Sequence, residues 1–289
     1  MTEPRAAASG PQQPAAYCPA PGCALSCPLI GPAASMRRVD SPAQLSPLIA
    51  GARVIAFSGH AGSGKTEIAV NVALGLSRES PTSIVDFDII NPFFRTADAR
   101  AELEAAGVRL VAPHFAGTNV DVPALPGEIR RLFDDARARA VFDVGGDDLG
   151  AKAVSSFRDD FLASGALHFF VFNARRPMTS NLSKAERAFD EIQKSARVPF
   201  DAIVNNTHLL GDTSQDDLAE GLEAALALAG RVGSRVALNA LMLPERCESQ
   251  GPAASEPFVC RSSALGIPVL GLRKHIFMAW NSNAPSGVS

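Results

Sequence analysis

Long apolar runs are missing from this chain: none approaches the ~18–20 residues that a membrane helix requires. The N-terminus lacks the apolar centre of a signal peptide. The expectation is therefore a cytoplasmic protein without a membrane span. Positive charge is not in excess either. The formal net charge is -3, which gives no electrostatic reason to expect a nucleic-acid partner. Cysteines number five, at 18, 23, 27, 247 and 260, and an odd count at this length is not a secreted disulfide framework. Cys18, Cys23 and Cys27 match neither the zinc nor the four-cysteine ferredoxin spacing. They stand in an Ala/Pro/Gly-rich tail, where reduced thiols are expected over a metal site. Lysine is scarce. Only Lys65, Lys152, Lys184, Lys194 and Lys274 occur among 27 basic residues, and one of them falls within a glycine-rich string.

With 46% hydrophobic and 20% charged residues, the composition is that of an ordinary globular chain able to bury a sizeable core. Residues 1–35 are dominated by Ala, Pro, Gly and Ser without apolar periodicity and read as a disordered tail; Met36 is a second candidate start. Residues 281–289 read as a flexible C-terminal tail, leaving 52–280 as one domain. Within it, short apolar segments at 53–58, 82–86, 108–111, 140–144, 168–173, 202–205 and 236–243 read as strands. Helical patterns lie between them, at 65–78, 96–106, 124–137, 149–164, 180–195 and 214–230. Near-continuous apolar strands separated by helices predict an α/β fold, a doubly wound, mostly parallel sheet in a three-layer αβα sandwich. Its ligand site lies beyond the carboxyl ends of the strands.

The string GHAGSGKT at 59–66 fits G-x-x-x-x-G-K-[ST], with a buried strand before it and a helix pattern, EIAVNVAL, after it. That strand–loop–helix context separates a phosphate-binding P-loop from a chance match, which arises on the order of once per hundred such chains. Gly59, Gly62 and Gly64 let the backbone curl, so that the N–H groups of His60, Ala61, Ser63 and their neighbours point at phosphate oxygens. The helix N-terminus, from Lys65 through Thr66 to Glu67, adds partial positive charge. Lys65 is expected to neutralise the terminal phosphates, and the Thr66 hydroxyl to hold Mg²⁺.

Such a site needs acids. The strand at 82–86 runs into Asp86 and Asp88. The strand at 140–144 carries Asp143, followed by Gly146 in a D-x-x-G pattern whose amide would sense the terminal phosphate. Asp88 and Asp143 are taken as site residues. For Asp86, Asp147 and Asp148, a functional role and a helix-cap or turn role stand level.

The succession of cradle, strand-end D-x-D, D-x-x-G and a later strand ending in Asn205 resembles the SIMIBI class of P-loop NTPases. Within that class it resembles the ParA/MinD/CobQ-type nucleotide-binding proteins, in an uncharacterised bacterial branch. The phrases that carry the likeness are DFDIINPFFR at 86–95, DVPALP at 121–126, DVGGDD at 143–148 and VNNTHL at 204–209. The likeness covers roughly 52–280. It implies that Lys65 and Thr66 bind phosphate and Mg²⁺, that Asp88 positions the attacking water, and that Asp143 holds Mg²⁺ through water. The partitioning ATPases of the family carry an extra lysine where this chain has His60, reaching across a homodimer to the partner's nucleotide. A plain loop residue is the expectation here, with a protonated imidazole as the alternative, and the homodimer stays open.

A guanine-reading N-K-x-D would end in a carboxylate, whereas this strand runs on as Asn205-Asn206-Thr207-His208, and histidine does not offer two carboxylate acceptors. ATP over GTP is therefore expected, with Asn205 at the adenine edge as in the resembled ATPases. The loop at 89–95 carries Pro92, Phe93, Phe94 and Arg95. It reads either as packed on the sheet or as a nucleotide-ordered switch that shows its phenylalanines to a partner. Arg175 and Arg176 follow another strand end; they read either as the source of one arginine that stabilises charge during phosphoryl transfer or as a solvated loop pair. The stretch at 273–280 is expected to be a packed final segment rather than a membrane-surface helix. The function these readings point to is a Mg²⁺-dependent ATP hydrolase acting as a conformational switch for an unidentified protein partner. The alternatives are a carboxylate-activating enzyme, like the amidoligase and dethiobiotin-synthetase relatives, and a nucleotide-stabilised scaffold that hydrolyses nothing.

Overall fold

The computed structural model of the protein describes residues 47–87, 96–112, 124–146, 148–243 and 256–276. Eight strands form one sheet, every pairing in it parallel. In chain order they are β1 (Val54–Ser58), β2 (Thr82–Phe87), β3 (Arg109–Val111), β4 (Arg139–Val144), β5 (Leu167–Phe172), β6 (Ala202–Asn205), β7 (Val236–Met242) and β8 (Val269–Leu272). The helices are α1 (Pro47–Gly51), α2 (Lys65–Leu76), α3 (Arg100–Ala105), α4 (Ala124–Asp134), α5 (Asp148–Ser155), α6 (Arg158–Ala163), α7 (Leu182–Ala196), α8 (Gln215–Arg231) and α9 (Glu256–Ala264). No described helix is long and apolar enough to cross a membrane.

The spatial order is β3-β2-β4-β1-β5-β6-β7-β8. From β1 the chain runs to β2 and outward to β3, returns to β4 between β2 and β1, and then passes to the other side of β1 and outward through β5 to β8. Winding therefore reverses at β1. The loops leaving the carboxyl ends of β1 and β4 part there, opening the crevice in which such sheets hold ligands.

Alternation along each central strand feeds a separate core on each face. Ile55 and Phe57 join Val171 and Phe169 against Ile68 and Val72 of α2. Val54 and Ala56 join Phe142 and Val144 against α4, α5 and α6. Phe170 and Phe172 point to α7 and α8. Both sides of β1 are thus buried, which is why its sequence VIAFS lacks a polar alternation. Helix α2 is covered all round: Ile68 and Val72 meet the sheet, and on its outer flank Asn71 donates to Arg273 O at 2.8 Å and accepts from Arg273 N at 2.9 Å. That pair of bonds pins the chain end beyond β8 to the helix.

Three expectations are refined. The pattern at 149–164 is two helices rather than one, because Phe157 breaks out between them to stack on Phe87 (centroids 5.9 Å) and Phe133 (6.3 Å). The segment at 96–106 opens with a 3₁₀ turn, Thr96–Ala99, before α3. Strand β8 and helix α9 were not legible. Only four residues long and carrying Gly271, β8 has too little pattern to read, yet a Cβ on that glycine would meet Leu243 Cδ1 at 2.8 Å. The tails at 1–35 and 281–289, Met36, and Cys18, Cys23 and Cys27 lie outside the described residues.

Candidate functional site

Between the end of β1 at Ser58 and the start of α2 at Lys65 the chain closes a tight loop, with Ser63 N bonded to His60 O at 3.0 Å. Gly62 and Gly64 have φ of +78° and +86°, a conformation that side-chain-bearing residues adopt only with strain. Gly64 is the N-cap of α2 and supplies no side-chain cap. No N-cap side chain therefore competes for the helix's first N–H groups, as suits an anion site. Lys65 and Thr66 sit on that first turn, 3% and 6% exposed. A lysine so buried at a helix N-terminus is the arrangement that phosphate binding by a P-loop calls for.

The loop is clamped from two sides. A Cβ on Gly59 would lie 2.6 Å from Val171 O on β5. A Cβ on Gly146, just beyond β4, would lie 2.2 Å from Gly59 O and 2.6 Å from His60 Cα. The D-x-x-G segment thus touches the phosphate loop backbone to backbone. Asp143, fully buried, stands in register with Phe57 on β1 and with Asp86, 5% exposed, on β2. Parallel register places the two acids on one face at neighbouring strand ends, and Thr96 Oγ1 donates to Asp143 Oδ2 at 3.0 Å. Asp148 opens α5. Asp88 and Asp147 lie outside the described residues, as do Phe93, Phe94 and Arg95 of the expected switch loop.

His60 is held below its ordinary value of 6.5 by burial and by Lys65, against the pull of Glu191. Both causes favour the neutral ring over the imidazolium.

The carbonyl side of the cradle is held by Asn206, a residue the sequence did not single out. Its Nδ2 donates to Ser63 O at 2.7 Å, so close that a Cβ on Gly64 would sit 2.1 Å away. Asn205, expected at the base, turns instead along the sheet to its register partner Asn239 on β7. Its Nδ2 donates to Asn239 Oδ1 at 2.8 Å, and its Oδ1 accepts from Thr207 N and Oγ1 at 3.2 and 2.8 Å. Asn239 Nδ2 continues the chain to Ser262 Oγ at 3.0 Å. Burial to 2% exposure explains the difference, since an amide there must satisfy its polar atoms internally. The repeat Asn205-Asn206 was the available signal, but sequence alone does not say which amide faces the loop. His208 follows, 4% exposed, and burial and Arg176 bring its pKa down to about 4. Its Nδ1 accepts from Leu210 N at 3.1 Å, so the neutral ring carries its proton on Nε2.

Glu67 also faces away from the cradle. Its carboxylate accepts from His275 N, and from Ile276 N at 3.3 Å, tying the segment beyond β8 to α2. Burial pushes this acid from 4.5 up to about 7, only partly opposed by the two amides and Lys274, with Glu102 adding to the rise. An acid with a raised folded pKa binds its proton more tightly folded than unfolded. Its contribution to stability is complete below its unfolded value and is lost as pH rises through about 7. Glu67→Gln should therefore gain on the wild type by roughly 3 kcal/mol as pH climbs through that window, from the ~1.4 kcal/mol per pK unit of linkage. Urea unfolding across the window measures it, and a difference that stays constant with pH would refute the account.

No family model matches the chain, and no curated protein matches it. Among solved structures it is similar to the signal recognition particle 54 kDa protein from Aeropyrum pernix K1, solved in complex with GDP. That match has 18% identity, 78% of this chain and 49% of that one covered, and TM-score 0.45. It is also similar to FtsY from Mycoplasma mycoides, at 15% identity, 73% and 66% covered, and TM-score 0.44. The cell division protein FtsY from Thermotoga maritima matches at 16% identity, 72% and 67% covered, and TM-score 0.45. The chain thus spans from about half to about two thirds of these proteins' length. Likeness at this level is one of fold alone.

Proposed function

We propose that this protein binds a nucleoside triphosphate, ATP, with Mg²⁺ in the loop between β1 and α2, and hydrolyses it slowly as a conformational switch of the SIMIBI class. The observation that carries the reading is the loop itself. Gly62 and Gly64 are left-handed, α2 is uncapped, and Lys65 and Thr66 are buried at its first turn, with Asp143 at the neighbouring strand end. The donors fit a hard dication: the Thr66 hydroxyl, with Asp143 through water, and Asp88 as the expected third oxygen donor. Mg²⁺ there would neutralise charge on the phosphates. Lys65 steadies the terminal phosphates, Gly146 offers its amide to them, and Asp88 orients water for in-line attack.

The choice of adenine is supported by the strand end Asn205-Asn206-Thr207-His208, which carries no carboxylate to accept the N–H donors of guanine. A protein partner that reads the triphosphate-bound state completes the switch.

The test is direct binding of labelled ATP and GTP, alongside phosphate release with Mg²⁺ and with chelator. ATP binding with Mg²⁺-dependent release is expected. Tighter GTP binding would overturn the base assignment, and no binding of either nucleotide would overturn the function.

A further inference from the structure

The loop after β5 carries two successive arginines, and the fold sends them to different places. Arg175 is ion-paired with α8: its Nε lies 2.7 Å from Asp217 Oδ1, outside hydrogen-bond geometry, and its Nη2 lies 2.6 Å from Glu220 Oε2. Pro177 follows Arg176 and restricts it to extended backbone, observed at φ -107° and ψ 141°. From this extended position, just after the turn that holds Arg175, Arg176 leaves α8 and packs its side chain against the loop at Gly62.

Its Cδ, Nε and Cζ lie 3.5, 3.6 and 4.0 Å from where a Cβ on Gly62 would stand. The turn that delivers it is firmly tied. Arg176 N donates to Asn173 O at 3.3 Å, and Thr179 N donates to Arg176 O at 3.0 Å. The buried Thr179 hydroxyl closes on Asn173 O at 2.6 Å. Arg176 Nε is buried without a hydrogen-bond acceptor, and among the described residues no carboxylate pairs with this guanidinium. A buried guanidinium N–H with no acceptor is costly to maintain. Beside it stand the buried Lys65, the N-terminus of α2 and an uncharged histidine at 208. The surroundings call for an anion.

We propose that Arg176 is a phosphate clamp supplied by the chain itself, its guanidinium engaging the phosphates of the nucleotide held in the cradle. The assignment rests on the nucleotide-binding reading above and names the second cation of that site. Arg175, next in sequence, is the internal control: it holds the loop to α8 and touches no ligand.

The test compares ATP·Mg²⁺ affinity, by titration calorimetry, for the wild type, Arg176→Gln, Arg176→Lys and Arg175→Gln, with Lys65→Ala as the cradle control. Arg176→Gln should bind at least about 10-fold more weakly, the scale of losing a charge-assisted contact. Arg176→Lys should recover part of that loss, and Arg175→Gln should bind as the wild type does. Ligand-free melting separates the two arginines further: Arg176→Gln should melt at or above the wild type, since it removes a charged group whose Nε is buried without an acceptor. Wild-type affinity in Arg176→Gln, while Lys65→Ala abolishes binding, overturns the clamp and leaves the nucleotide site standing. A wild type that binds no nucleotide overturns both.

Discussion

Lys65→Ala is expected to reduce phosphate release from ATP by about 10²–10³-fold, the range for deleting one preorganised charge stabiliser, while leaving the fold intact. The lysine is 3% exposed on the first turn of α2, where the helix dipole already favours an anion. Removing its charge takes away a charge-assisted contact to the terminal phosphates and leaves the helix dipole in place. Nucleotide affinity should therefore fall together with turnover. Steady-state phosphate release and titration with ATP measure both. Turnover that survives the substitution would place hydrolysis elsewhere and remove the reason for assigning this loop a function.

Gly146→Ala should be nearly as damaging, by a route involving no charge. The new methyl would fall 2.2 Å from Gly59 O, 2.6 Å from Gly59 C and 2.6 Å from His60 Cα. All three are backbone atoms at the start of the cradle, so no side-chain rotation relieves the clash. Either the end of β4 or the loop has to move. Overpacking of this kind costs typically ~1–3 kcal/mol of stability, and displacing the loop amides by a fraction of an ångström removes the alignment on which phosphate binding depends. Loss of at least about 10-fold in ATP affinity is expected, the scale of one misaligned charged contact, together with a lower melting temperature. An alanine variant that binds ATP as well as the wild type would show that the contact between the D-x-x-G segment and the loop is not needed for binding.

The two variants isolate different physics, electrostatic complementarity in one and backbone shape in the other. Their comparison with Arg176→Gln orders the three supports of the site. Lys65 belongs to the loop, Gly146 to its neighbour β4, and Arg176 to β5 on the opposite side.

Much of this was legible in the residues alone. Seven of the eight strands read from their apolar runs, because a parallel sheet covered on both faces leaves no exposed position to break the run. Lys65, Thr66 and Asp143 were legible because a phosphate loop is local: six residues between a strand and a helix specify their own geometry, and an acid at a strand end follows from the sheet direction. The left-handed angles at Gly62 and Gly64 are the physical content of that string.

What the residues alone left level was decided by pairings across long separations. Asn205 and Asn206 are chemically the same, and only the fold sends one to Asn239 and the other to Ser63. Glu67, next to Thr66 in sequence, faces the chain end more than two hundred residues later, because its side of α2 is covered by the segment around His275. His168, an unremarked strand residue, is fully buried against Ser58, the last residue before the cradle, at 2.7 Å. Arg175 and Arg176 differ only in which neighbour each meets. The sequence by itself determined that a glycine-rich turn joins the first strand of a parallel sheet to a helix, since periodicity and glycine placement act over a few residues. The tertiary structure decided which polar side chains surround that loop, because side-chain direction is settled by packing between elements distant in the chain.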